Sequence, residues 1–205
     1  EAAALGVAGY TAGLAMEALE LNGMAPANGK VLVNGATGGV STLAIEMLAQ
    51  KGYGVVAVTG KEAETPFLRK LGAQEVLPRQ KLEMGTRPLE KGLWAAAFDS
   101  VGGEQLAWLT RTMQPDGLIA AYGNASGIEL KTTVLPFILR GVRLIGVNSG
   151  DTPMPLRRKV WARLASDLKP QHLNDIANII KLDDLPGYFD KMLKGQIRGR
   201  AVVKL

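Results

Sequence analysis

The stretch VLVNGATGGVST, residues 31–42, places small residues where an apolar run gives way to a helical pattern. A turn of that kind can bind phosphate. Backbone N–H groups at a helix start, reinforced by the helix dipole, favour an anion. Glycine there permits a tight turn and close backbone approach. Against the spacing G-x-G-x-x-G, the aligned residues are Ala36-Thr37-Gly38-Gly39-Val40-Ser41. Only Gly38 fits strictly, and Ala36 and Ser41 are small stand-ins. The spacing alone is a weak signal, since the same residues build merely structural turns. The position strengthens it, because the turn directly follows the first apolar run inside a strand–helix–strand unit.

The end of the second apolar run selects the cofactor. A fold that binds NAD usually has Asp or Glu there, about 20 residues after the turn, for the ribose 2′-hydroxyl. This sequence has AVTGKEAE instead, with Thr59, Gly60 and Lys61 at the position in question. Thr59 can donate to a phosphate, Gly60 lets backbone approach, and Lys61 supplies charge. The expected cofactor is NADP(H). Lys61 also reads as an ordinary solvated lysine, but a cation is disfavoured at a helix start unless an anion is near. Arg79, just past the third strand, stands where it could join the clamp, although a lone arginine is more often a surface residue.

DSVGG (99–103), YGNASG (122–127) and GVNSG (146–150) end the fourth, fifth and sixth apolar runs. Ligands sit at the carboxyl ends of strands in such sheets, and ordinary turns use the same residues. A short-chain dehydrogenase would need Lys four residues after a Tyr. The residues four after Tyr10, Tyr53, Tyr122 and Tyr188 are Leu14, Ala57, Ser126 and Met192, so that motif is absent. His172, the only histidine, has no matching nucleophile and is assigned no role. With no cysteine and one histidine, thiolate and multi-histidine metal sites are excluded from these residues, and no metal is expected.

These residues need a frame. Strands are expected at Lys30–Asn34, Tyr53–Val58, Gln74–Leu77, Trp94–Asp99, Gly117–Tyr122 and Val142–Val147. Several are apolar throughout, as in strands covered on both faces. Helical patterns fall at 39–51, 62–71, 103–113 and 132–140. The alternation implies right-handed crossovers and a doubly wound α/β fold, a six-stranded parallel sheet of order 3-2-1-4-5-6. PMPLRRKVWARLASDLKP then reads as a helix, and LDDLPGYFDKMLKGQIRGRAVVKL as an Asp-started amphipathic helix, a Gly-rich stop and a last strand.

The 205 residues are 47% hydrophobic and 21% charged, enough for one sizeable core. The net charge of +5 is scattered, which reads as a solvated basic surface, and no basic run carries interleaved aromatics, so nucleic acid is not an expected partner. No apolar run approaches the roughly 18 residues of a membrane span, and a cytoplasmic setting is expected. EAAALGVAGYTAGLAMEAL starts within a helical pattern with no preceding cap, so a natural N-terminal part is expected upstream.

Taken together, ALGVAGYTAGLAMEAL, VLVNGATGGV, VTGK, LGAQEVLPR, AAAFDSVGG, TTVLPFILRGVRLIGVNS and LPGYFDKMLKGQIRGRAVVKL resemble the zinc-independent quinone-oxidoreductase-like branch of the medium-chain dehydrogenase/reductase superfamily, and within it the acryloyl-CoA reductase family. The resemblance spans the whole chain. Its members usually carry a third glycine in the phosphate turn, where Ser41 stands here. It implies an NADPH-dependent reductase of activated C=C bonds, typically acryloyl-CoA to propanoyl-CoA. It places Thr37, Gly38, Gly39 and Val40 on the diphosphate and Thr59, Gly60, Lys61 and Arg79 on the adenosine phosphate. Asn124, Ile138, Ser149 and Gly195 fall towards the nicotinamide. Catalytic residues are not assigned. It also implies an N-terminal catalytic domain outside this chain, with residues 1–205 forming the NADP-binding domain and 188–205 returning to the other as an orphan edge here. The chain alone should then bind cofactor but turn over negligibly. An apolar edge strand, VRLIGVN, invites a homodimer through the sixth strand. Quinone or 2-alkenal reduction, or a non-catalytic NADP(H)-binding redox sensor, are the alternatives.

Overall fold

The computed structural model describes residues 1–205. Six parallel strands form one sheet: β1 (Lys30–Val33), β2 (Gly54–Thr59), β3 (Glu75–Pro78), β4 (Trp94–Asp99), β5 (Met113–Ala121) and β6 (Arg143–Gly146). Their order is β3-β2-β1-β4-β5-β6, the expected doubly wound arrangement. The central strands β1, β2 and β4 are buried almost throughout, which explains why their sequences are apolar without alternation.

Helices α1 (Ala2–Leu21), α2 (Gly39–Gln50), α3 (Thr65–Lys70), α6 (Met154–Leu164) and α7 (Leu173–Ile176) supply buried side chains to one face of the sheet, with Val31, Val33, Val55 and Ala57. Leu32, Val56 and Val58 point to the other face, where α4 (Gly103–Thr112) packs Leu106, Trp108 and Leu109, and Phe137 of α5 (Leu135–Arg140) joins them. Side chains one residue apart on a strand therefore serve two separate cores. Edge-to-face packing of Trp94 on Trp108, with centroids 6.2 Å apart, closes the second core. Stacking of Tyr10 on Trp161 at 5.9 Å joins α1 to α6 in the first.

α1 meets the length and composition criteria for a membrane span, correcting the sequence reading, but 72% of its apolar window is buried here as a core helix. An ion cluster fixes it in place. Arg163 reaches Glu17 at 3.0 Å, Glu20 at 2.6 Å and Asp167 at 2.8 Å, and Lys159 also pairs with Glu17.

Other boundaries moved for local reasons. Residues 62–64 form a 3-10 turn, and α3 starts at Thr65 with Pro66 in its first turn, where proline is tolerated. The helix expected over 132–140 is confined to 135–140. β5 starts four residues early, at Met113, and its register with β4 shifts between Trp94 and Ala96. Asp116, at φ +59°, takes the left-handed conformation at that irregularity.

The last part of the chain forms a small module. β7 (Ala177–Lys181), not foreseen in the sequence, pairs in parallel with β8 (Arg200–Lys204), and α8 (Leu185–Leu193) joins them. The last strand is thus no orphan, which corrects that expectation.

Candidate cofactor site

Parallel register puts the carboxyl ends of all six strands on one edge of the sheet, and there the expected site residues collect. The tight turn after β1 is made one residue earlier than the motif alignment supposed. Gly35, not Ala36, takes the left-handed conformation at φ +53°, and a Cβ there would run into Ser100. Ala36 is fully buried and donates its N–H to the Val58 carbonyl at 3.0 Å. Gly38 caps α2 with extended backbone and offers no side-chain cap. No acceptor within the helix serves the amides of its first turn, and the parallel bridge between Gly38 and Gly199 sets the Gly199 carbonyl against Gly39.

Ser41, at the third glycine position of the G-x-G-x-x-G spacing, works as a peg. Its hydroxyl donates to the Asn34 carbonyl at 2.9 Å and lies 3.3 Å from Ser100 Oγ and 3.2 Å from the Tyr122 hydroxyl. It ties the start of α2 to the ends of β1, β4 and β5. Asn34 donates to Asp99, whose second oxygen accepts from Gly102 N–H at 3.0 Å. Burial pushes the Asp99 carboxyl up, opposed by those hydrogen bonds, and burial likewise raises the Tyr122 hydroxyl. Both groups are spent on holding strand ends together.

At the end of β2, buried Thr59 accepts from the Lys61 N–H at 3.0 Å, a local turn that fixes where the lysine starts. Arg79 is brought to the same place: its guanidinium lies over Gly60, where a Cβ would stand 3.1 Å from a guanidinium nitrogen. Lys61 is half-buried, and desolvation holds its ammonium below the usual lysine value, with Glu64 opposing. Its Nζ donates to the Ile197 carbonyl. The lysine at that turn thus has an acceptor within the chain, where the sequence had offered solvent or a bound anion.

One cation escaped the sequence reading. Arg200, at the start of β8, lies between two glycines. Its alkyl stem passes 3.3 Å from where a Gly39 Cβ would be, and a guanidinium nitrogen 2.6 Å from where a Gly6 Cβ would be. Gly6 breaks α1 at φ +45° and opens that room. Arg200 Nε is buried without a hydrogen-bond partner, and desolvation holds the guanidinium below its usual value. RGR in the sequence was a visible signal, but nothing local placed it beside the β1–α2 turn. Only the fold does so, through Gly199 N–H donating to the Thr37 carbonyl at 2.9 Å.

Asn124 and Ser149 follow β5 and β6 on the same edge. Ile138 is exposed on α5, and Gly195 follows α8 with open space about it. Neither makes a hydrogen bond to the turn.

Residues 39–166 match the family described as zinc-binding dehydrogenase. The chain belongs to that family. It is 44% identical over 204 residues to the acrylyl-CoA reductase AcuI of Ruegeria pomeroyi, covering 99% of this chain and 62% of that protein. It is 46% identical over 207 residues to a Bacillus subtilis protein provisionally named quinone oxidoreductase YhfP, covering 100% and 63%. The structure of Escherichia coli K-12 YhdH with bound NADPH superposes with a TM-score of 0.95 at 44% identity, over 100% of this chain and 63% of that one. The chain thus spans just under two thirds of the length of these relatives. Although the family's description names zinc, no group of three His, Cys, Asp or Glu side chains here could hold a metal ion. These 205 residues do not fit a zinc site.

Proposed function

We propose that this chain is the NADP(H)-binding part of a longer, zinc-independent reductase of activated C=C bonds, with acryloyl-CoA the best-supported substrate and propanoyl-CoA the product. The observation that carries the reading is Arg200: a desolvated guanidinium with an unpartnered Nε, held in a cradle of two glycines beside the uncapped start of α2. A diphosphate between Arg200 and the first turn of α2 would give the guanidinium a partner and complement the helix start. Thr37 and Gly38 shape that subsite.

At the other end, no carboxylate stands at the end of β2 to take a ribose hydroxyl. Thr59 orders the turn, Gly60 lets the Arg79 guanidinium lie close, and Lys61 adds a second cation. Two cations and no acid favour a 2′-phosphate, hence NADPH. A Bacillus subtilis YhfP structure, 46% identical with a TM-score of 0.94, contains NAD, so the preference must rest on these residues. Asn124 and Ser149 complete the edge towards the nicotinamide, with Ile138 and Gly195 assigned to that end by family resemblance alone.

Bound in this way, NADPH would supply the hydride that reduces the β-carbon of the enoyl thioester. The chain's own residues would bind and orient it. No donor for a developing enolate oxygen is identified among them, and turnover needs one. We therefore assign that donor, and the wall that brings substrate within about 3–3.5 Å of the cofactor, to a domain beyond residues 1–205, which 188–205 would adjoin. The longer enzyme would act in the cytoplasm as a homodimer joined through β6. The relative named for quinone reduction favours a quinone or 2-alkenal as the second reading.

The test follows NADPH absorbance with acryloyl-CoA, for this chain and for the full-length protein that contains it. Turnover by the longer protein with negligible turnover by the chain is expected. Comparable rates from both would place the catalytic groups within these residues, and no turnover by the longer protein would remove the substrate assignment.

A further inference from the structure

Residues Gln196–Arg200 leave the end of α8 and cross both halves of the candidate cofactor site. Asn178 donates to the Arg198 and Arg200 carbonyls from the β7 side, and four residues of the segment reach the cofactor site. Lys61 donates to the Ile197 carbonyl. Arg198 pairs with Glu64 at 3.0 Å, and its guanidinium carbon lies 4.1 Å from the Phe67 ring centroid. Gly199 donates to Thr37 and takes the left-handed conformation at φ +64°. Arg200 fills the space between Gly6 and Gly39. The first two contacts belong to the adenosine end and the last two to the diphosphate end. One five-residue segment thus spans both phosphate subsites.

The contact at Lys61 is the exchangeable one. Its acceptor is a neutral carbonyl, whereas a phosphate dianion would add charge–charge attraction to the ammonium's hydrogen bond. The half-buried ammonium has lost part of its water, and it forms no ion pair with a carboxylate, Glu64 being paired with Arg198. The pairing of Arg198 with Glu64, by contrast, already joins two opposite charges.

We propose that Gln196–Arg200 is a cofactor-responsive strap, held by Lys61 on Ile197 in the free protein and loosened when a 2′-phosphate draws Lys61 away. NADH lacks that phosphate. It leaves Lys61 on Ile197 while its diphosphate engages Arg200, so the strap is tightest in the NADH complex. Because the strap runs directly into β8, the β7–β8 module registers which cofactor is bound. The proposal rests on the NADP(H) reading above.

The test is hydrogen–deuterium exchange of the 196–200 amides, read by mass spectrometry in free, NADH-saturated and NADPH-saturated protein. Calorimetry on the same samples reports binding. Strap exchange should be about two- to tenfold faster with NADPH than with NADH, the range expected for losing one hydrogen bond. In Lys61→Met, free-state exchange of the strap should rise by a similar factor, and the difference between the cofactors should vanish. Exchange in β1 and β4 serves as the folding control. Equal strap exchange with both cofactors bound, or free-state exchange unchanged in a folded Lys61→Met, overturns the strap. If calorimetry shows no NADPH binding, the cofactor reading falls and takes the strap with it.

Discussion

In the proposed site Arg200 and Lys61 divide the recognition of one ligand, and they should fail differently. On that reading Arg200 would face the diphosphate common to both nicotinamide cofactors. Arg200→Met should weaken NADPH and NADH alike, by roughly ten- to hundredfold for a charge-assisted contact of about 1.5–3 kcal/mol, and leave their ratio unchanged. Calorimetric titration of both cofactors checks it, and loss confined to NADPH would move Arg200 to the wrong subsite. Ser41 has a purely internal task. Ser41→Ala removes a buried hydroxyl that binds the Asn34 carbonyl, and should cost about 1 kcal/mol in urea unfolding. A neutral result would mean that the Ser100 and Tyr122 hydroxyls regroup without it. The sequence showed Lys61 and Ser41 as single letters in a recognisable turn. It did not show Arg200 as a site residue, because the contact between Gly6, Gly39 and Arg200 joins segments far apart along the chain.

The strands and crossover helices were legible because each buries its apolar set against the sheet, and periodicity reports that burial. β7 was not legible. ANIIK follows the four-residue helix α7 directly and is only partly buried, so its pattern carries little signal. β8 supplies the missing half of its pairing from residues 200–204. The attachment of α6 was equally hidden, since charges four residues apart read as a solvated face. Arg163 instead spans Asp167 on its own side and Glu17 and Glu20 on α1. Arg163, and then Lys51, hold the Asp167 carboxyl down to about 2, against 3.8 in the unfolded chain. Because the folded value is the lower one, the contribution is complete above about pH 4 and lost as pH falls towards 2. The melting temperature should drop across that window, and by less in Asp167→Asn. An identical drop in both proteins would remove Asp167 from the acid response. At neutral pH the exposed pair contributes at most about 1 kcal/mol.

At the scale of the whole molecule, two surfaces remain for partners. β6 is the last strand of the sheet, and Val134, Ile138 and Leu139 stand exposed on or beside α5, which precedes it. An edge strand flanked by apolar side chains invites pairing, so sedimentation at micromolar concentration should show a dimer, and monomer alone would count against that assembly. Exposed Phe189, Met192 and Leu193 on α8 mark the other surface, on the side assigned to the rest of the enzyme. The central claim can be tested on this chain alone, because the β1–α2 turn, Lys61, Arg79 and Arg200 all lie within it. The most direct measurement is the calorimetric titration of NADPH and of NADH into the chain and into Lys61→Ala. The account predicts one site, a preference for NADPH of roughly ten- to hundredfold from one charge-assisted phosphate contact, and loss of most of that preference in the variant. Equal affinities in the chain, or a preference unchanged by Lys61→Ala, would contradict it.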